Sequence, residues 1–201
     1  MTRKHRRENA VRRMVLITAA SALTFMLALA IDTAFAAMAR EGFADGSVRE
    51  DGTLRVPERF RERYVLLGAW AVEGDTDTDG GLGLHVVYAP RETVEAYRKT
   101  GKFPDGAVLV KELFHGKTED LTTGRATSAN GVAGYFVMVK DGEGRFKGNP
   151  LWGDGWGWSF FEAGNTETAV TKDYKGECLG CHEPARETDF IYDYAYPVLR
   201  K

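Results

Sequence analysis

Phe103-Pro104-Asp105-Gly106-Ala107-Val108-Leu109-Val110-Lys111-Glu112-Leu113-Phe114 is the stretch from which the fold can be read. Pro104-Asp105-Gly106 carries turn chemistry: a fixed φ, a side chain that bonds nearby backbone, and a residue free to take positive φ. Residues 107–114 then read as a strand. Along it Ala107, Leu109, Lys111 and Leu113 share one face, and Val108, Val110, Glu112 and Phe114 share the other. Both faces are mostly apolar, so the strand is expected to be covered on both sides. A lysine there is costly unless it is neutralised or consumed in chemistry. The competing reading of Lys111 is an edge-strand lysine reaching water, a device against aggregation. The strand alone leaves both open.

Outward from this segment the pattern repeats. Residues 65–72, 82–89, 132–140 and 155–162 are further short runs rich in Val, Leu, Tyr, Phe and Trp. Turn-forming stretches at 75–81, 141–144 and 153–155 separate them. The best helix is 90–100, with Pro90 near its first position and Gly101 just past its end. A short helix is expected over 57–63 and another over 171–183. The expected fold is α+β: a mainly antiparallel sheet, a few short helices, and a C-terminal helix. Trp156, Trp158 and Phe160 alternate with Gly155, Gly157 and Ser159. One face of that strand is aromatic and the other nearly bare, as where a backbone lies close to another layer or to a cofactor. The aromatic face reads as core, with the lining of a cofactor pocket as the alternative.

The chain has 201 residues, 43% of them hydrophobic, and only 2 Cys, which excludes a low-complexity chain and a disulfide scaffold. Six basic residues lie between Arg3 and Arg13, an apolar run extends from Met14 to Ile31, and Ala34-Phe35-Ala36 has the form of a signal peptidase site. Residues 1–36 therefore read as an export signal, and 37–201 as one domain. An uncleaved anchor is the rival, because a run of about 18 residues reaches the lower limit for a spanning helix. Arg12-Arg13 also raises twin-arginine export, with poorly matching flanks. The net charge is −2, and the leader holds six basic against two acidic residues, so the remainder is more acidic still. Such a domain, without a basic patch, is a poor binder of nucleic acid.

Both cysteines fall in Glu177-Cys178-Leu179-Gly180-Cys181-His182. C-x-x-C-H is the spacing of covalent c-type haem attachment. Two thiols three residues apart reach two vinyl groups of a porphyrin, and the adjacent imidazole ligates its iron. Export fits, because such haem is attached outside the cytoplasm. Blander readings are a redox dithiol, a structural disulfide or half a zinc site. The dithiol needs a strand-to-helix junction early in an α/β domain, and no second CxxC or His cluster completes the zinc. Haem is the preferred reading, with Cys178 and Cys181 as its attachment points and His182 as the iron ligand. Helical electron carriers usually bear this motif near the N-terminus; here it follows a strand-rich region, so the haem is expected to pack on a sheet.

At this point the chain resembles the cytochrome P460 family and the related β-sheet cytochromes c′. The matching features are residues 52–64 leading into 65–72, Val86-Val87-Tyr88, Tyr97-Arg98-Lys99-Thr100-Gly101, the segment 103–113, Glu177–His182, and 189–200 with Tyr196-Pro197-Val198-Leu199. The resemblance implies a covalent bond between Lys111 and a haem meso carbon. It also implies hydroxylamine oxidation at an open iron site, a soluble c-type cytochrome as electron acceptor, a periplasmic location and a homodimer.

The family's distal arginine position is held here by His85, and its distal acidic position by Phe136. His85 can replace the arginine or act as a base, since imidazole titrates in the useful range; a satisfied buried histidine is the equal alternative. Phe136 moves no protons. A distal phenylalanine instead resembles the c′ relatives, whose crowded apolar pocket takes small uncharged gases such as nitric oxide. Glu112 and Glu119 are the other acids nearby. Non-catalytic nitric oxide binding is therefore the second functional expectation, and a six-coordinate electron carrier the third. For the latter Met138 and His115 are the remaining ligands, read as core and solvated respectively.

Overall fold

The computed structural model describes residue 43, residues 45–73 and residues 82–200. The leader at 1–36 and the turn at 75–81 lie outside the described residues. No described helix is long and apolar enough to cross a membrane.

Among the described residues the five alternating segments form strands and Trp152–Gly153 adds a sixth: β1 (Val65–Glu73), β2 (Leu82–Ala89), β3 (Val108–Leu121), β4 (Gly124–Lys140), β5 (Trp152–Gly153) and β6 (Trp156–Glu162). They make one sheet in the order β1-β2-β3-β4-β6-β5, with every neighbouring pair antiparallel. Among the described residues the α-helices are few and short: α1 (Phe60–Arg63), α2 (Arg91–Thr100) and α3 (Gly180–His182). α2 follows Pro90 and ends where Gly101 takes φ 71° and its N–H bonds the Tyr97 carbonyl at 2.7 Å.

Three elements differ from expectation. β3 and β4 run on as a long hairpin through 115–131, a stretch too polar on both faces to show period-two hydrophobicity. The ladder itself holds it, with a Thr118–Thr127 hydroxyl pair at 2.7 Å across the strands. α1 starts only after Arg59, whose φ of 55° interrupts the expected 57–63 helix. The helix expected over 171–183 is broken instead into a π turn (Lys175–Leu179), α3, and a 3₁₀ segment (Glu183–Thr188). Gly176 and Gly180 lower its helix propensity, and Pro184 lacks the N–H that would extend the α ladder.

The sheet is covered on both faces. On the first, Val87, Leu109, Met138, Trp156 and Trp158 pack with Val94 of α2 and with Tyr174, Cys178, Phe190, Tyr196 and Leu199 of the C-terminal segment. On the second, Val108, Val110, Tyr135, Val137 and Phe161 pack with Leu54, Val56 and Phe60. β3 lies in the interior of the sheet, which removes the edge-strand reading of Lys111. The bare face of β6 is explained by Trp152, because a Cβ on Gly157 would sit 2.7 Å from its indole.

The C-terminal segment approaches β1 so closely that a Cβ on Gly68 would collide with the Ala195 carbonyl oxygen. Gly68→Ala is expected to cost about 1–3 kcal/mol, read as a lowered thermal midpoint. An unchanged midpoint would mean that the segment does not seat there. At the turn before β3, Asp105 accepts from the Gly142 N–H at 2.8 Å and from Arg145 at 3.1 Å. Burial alone would raise its pKa, but Arg145 and the Gly142 N–H outweigh it and hold the carboxyl below its ordinary 3.8. A group depressed on folding stabilises above its unfolded pKa and loses that contribution as pH falls through the folded value. Asp105→Asn should therefore destabilise at neutral pH, and the gap in urea midpoint between variant and parent should close below pH 3.8.

Candidate functional site

The segment carrying the two cysteines is docked by its aromatic side chains. Tyr174 stacks on Trp158, with centroids 5.9 Å apart and planes 12° apart, and its hydroxyl donates to Asp154 at 3.0 Å. Glu177 turns back to accept the Lys172 and Asp173 N–H groups at 2.8 and 3.0 Å. Cys178 at the end of the π turn is buried, whereas Cys181 in α3 is exposed, and both are free thiols rather than a disulfide. Burial, with the Glu177 charge, pushes the Cys178 thiol up to about 11, while a hydrogen bond from Thr171 opposes the rise.

His182 follows on the same turn. Its Nδ1 lies 2.7 Å from the Phe190 carbonyl oxygen. A carbonyl only accepts, so Nδ1 carries the proton and donates, and Nε2 keeps the lone pair. The ring meets Trp158 edge-on at 5.0 Å and Tyr192 at 6.2 Å, and the Tyr192 hydroxyl donates to the Cys181 carbonyl at 2.5 Å. Burial lowers the pKa of His182, the Lys111 charge lowers it further, and the Phe190 carbonyl opposes both. The neutral, ligating form is therefore favoured.

Lys111 stands on β3 opposite Val87 on β2 and Phe136 on β4, and Phe136 in turn faces Phe160 on β6. The Lys111 ammonium sits 4.6 Å from the centroid of the Phe136 ring, and the Phe136 and Phe160 rings lie 4.6 Å apart. Lys111, Phe136 and Phe160 are half-buried, in contrast to the covered Leu109, Met138 and Trp158 of the same face. His85, buried on β2, packs against Trp70 at 5.7 Å and registers with Leu113, two residues along β3 from Lys111.

The remaining candidates lie elsewhere. Glu112 projects to the opposite face, where it is fully buried and chelated by Arg61, whose Nε lies 3.0 and 3.1 Å from its two oxygens. A groove of about 360 Å³ beside this pair, lined by Val56, Phe60, Arg61 and Tyr135, is likewise on that face. Glu119 lies on the hairpin and pairs with Lys117 at 2.5 Å. Met138 is core, and His115 is half-buried on β3 rather than solvated. Asp189 and Lys140, which brace the turn carrying the Phe190 carbonyl, were not picked out by sequence reasoning. Asp189 lies outside any periodic segment, and Lys140 sits at a strand end where a lysine is unremarked.

These features define a β-sheet protein that presents a Cys-x-x-Cys-His turn against one face, beside a central lysine and two half-buried phenylalanines. The Cytochrome P460 family model matches residues 57–193, and the chain belongs to that family. It is accordingly a haem protein. A comparison with curated proteins finds no match. The residues present fit a haem: the Nδ1–Phe190 bond leaves Nε2 for iron, and Phe136 and Phe160 offer an apolar surface for a macrocycle.

Because Glu112 faces away from Lys111, Glu112→Gln is expected to cost about 1–3 kcal/mol of stability and to leave the haem spectrum unchanged. A bleached or shifted spectrum at unchanged stability would place that carboxylate on the reacting side.

Proposed function

We propose that this is an exported c-type cytochrome of the P460 kind that oxidises hydroxylamine, or a similar small nitrogen compound, and passes the electrons to a soluble c-type cytochrome. In this reading Cys178 and Cys181 form thioethers to haem, His182 holds iron through Nε2, and the Lys111 amine makes a further covalent bond to the macrocycle. The observation that carries it is the convergence of Lys111 and the motif on one sheet face: Lys111 lies over Phe136, whose ring neighbours Phe160 on β6, and two residues along β6 Trp158 meets the His182 ring. When bound, the haem supplies an open iron position that accepts electrons from the nitrogen ligand.

The chain's own residues divide the rest of the work. Oxidation of hydroxylamine removes protons together with electrons, so a general base is needed. His85 is the candidate, as the buried imidazole one strand from Lys111. Phe136 and Phe160 set apolar rings beside Lys111. Deposition in the periplasm after removal of residues 1–36, and assembly as a homodimer, complete the proposal.

The Phe136–Phe160 pair also favours a second reading, in which the protein captures nitric oxide without turnover. An apolar surface of paired aromatic rings suits an uncharged gas. The two readings separate on one set of assays with protein matured with haem in the periplasm. For the oxidase, hydroxylamine supports steady reduction of an acceptor, and the ferrous Soret band lies well to the red of ordinary c-type haem. Lys111→Ala then returns that band to the ordinary position, and His85→Ala lowers kcat by about 100-fold or more. Tight nitric oxide binding with no hydroxylamine turnover would overturn the oxidase in favour of the second reading. A spectrum identical in parent and Lys111→Ala would remove the lysine bond.

A further inference from the structure

Two consecutive non-glycine residues, Asp189 and Phe190, occupy the left-handed region, at φ 60° and φ 64°. A bulky residue there is an outlier, and such conformations persist only where the surroundings over-determine them. The surroundings do so from several directions. Asp189 Oδ1 accepts from the Lys140 ammonium at 2.6 Å and from the Trp156 indole N–H at 3.3 Å. Lys140 is held in turn over the Trp156 ring at 4.8 Å, with only 15% of its side chain exposed. Gly155 leaves it room, since a Cβ at that position would lie 3.1 Å from its Nζ. The Phe190 ring is buried edge-on against Trp158 at 5.9 Å, beneath the Arg186 guanidinium at 4.7 Å, and its N–H bonds the Ala185 carbonyl at 2.7 Å. What this braced turn presents is the Phe190 carbonyl, 2.7 Å from His182 Nδ1.

We propose that Asp189, pinned to the sheet by Lys140 and Trp156, is a positioning residue: it holds the Asp189–Phe190 turn so that the Phe190 carbonyl takes the His182 Nδ1 proton in a strong hydrogen bond, which sets how strongly the imidazole donates to iron. The inference rests on the reading of His182 as the iron ligand. A hydrogen bond from Nδ1–H gives the ring imidazolate character and raises its basicity toward a metal. Stronger donation favours ferric over ferrous iron, and axial donation is among the means by which a protein sets a haem potential. The sheet thus acts on the imidazole twice through alternate residues of β6, Trp158 directly against the ring and Trp156 through Asp189.

The test uses the full-length haem-loaded protein and reads the ferrous iron–imidazole stretching band by resonance Raman, together with the midpoint potential. Asp189→Ala is expected to lower the band frequency and raise the potential. Asp189→Asn, which tolerates the left-handed conformation and keeps an acceptor oxygen, should lie between it and the parent. Val137→Ala, a buried truncation on the opposite face, should lower the thermal midpoint without moving either readout. The proposal is overturned if Asp189→Ala lowers the midpoint of unfolding but moves neither band nor potential, or if Val137→Ala moves them equally. Should Asp189→Ala not load haem, Lys140→Met against Lys140→Arg reads the same quantity. A shift in the first that the second restores supports the proposal, and identical bands in both reject it. A five-coordinate ferrous parent with no iron–imidazole band would instead overturn the ligand reading itself.

Discussion

Trp158 is the contact on which the arrangement depends. Its indole is met by three rings of the C-terminal segment: Tyr174 stacked, and His182 and Phe190 edge-on. Its own N–H is satisfied by the Gly153 carbonyl at 3.0 Å, a contact independent of the segment that docks on the ring. Truncating such a buried indole typically costs about 3–5 kcal/mol. Here that contact joins a segment interrupted by Gly176, Gly180 and Pro184, which has little helical stability of its own, to the sheet that carries Lys111. Together with the Asp189 contacts to Lys140 and Trp156, it sets the position of the motif on the sheet.

The second constraint is the period of two along β3. Lys111 and Glu112 are neighbours in sequence and would neutralise each other if they shared a face. The pleat sends Lys111 toward the motif and Glu112 into the opposite core, where Arg61 satisfies it. A buried carboxylate that already has a guanidinium partner is a structural anchor rather than a proton acceptor for chemistry across the sheet. This leaves the first face with a lysine, an imidazole and aromatic rings, a combination suited to holding a macrocycle and a small ligand.

Much of this was legible in the sequence. Alternation and turn chemistry located five strands and α2, and the alternation over 107–114 assigned Lys111 and Glu112 to opposite faces correctly. The spacing of Cys178, Cys181 and His182 singled out the motif. The polar hairpin at 115–131 was invisible because a strand solvated on both faces carries no hydrophobic period. The broken helix at 175–188 was missed because Gly176, Gly180 and Pro184 weaken a continuous α ladder there, and docking on Trp158 then settles which of α, π and 3₁₀ turns forms. Asp189 and Phe190 could not be read at all: nothing in local sequence marks two adjacent side-chain-bearing residues for the left-handed region, and only the contacts to Lys140, Trp156 and Trp158 impose it. The bare face of β6 does have a close neighbour, but it is Trp152 of the adjacent strand β5 in the same sheet and not another layer.

The most direct test of the central claim is mass spectrometry of a proteolytic digest of the protein secreted with haem. If one sheet face gathers the motif and Lys111 around a single haem, one species will contain the macrocycle joined both to the peptide bearing Cys178 and Cys181 and to the peptide bearing Lys111. Haem on the cysteine peptide alone would contradict the lysine bond, and a digest with both cysteines unmodified would contradict the account as a whole.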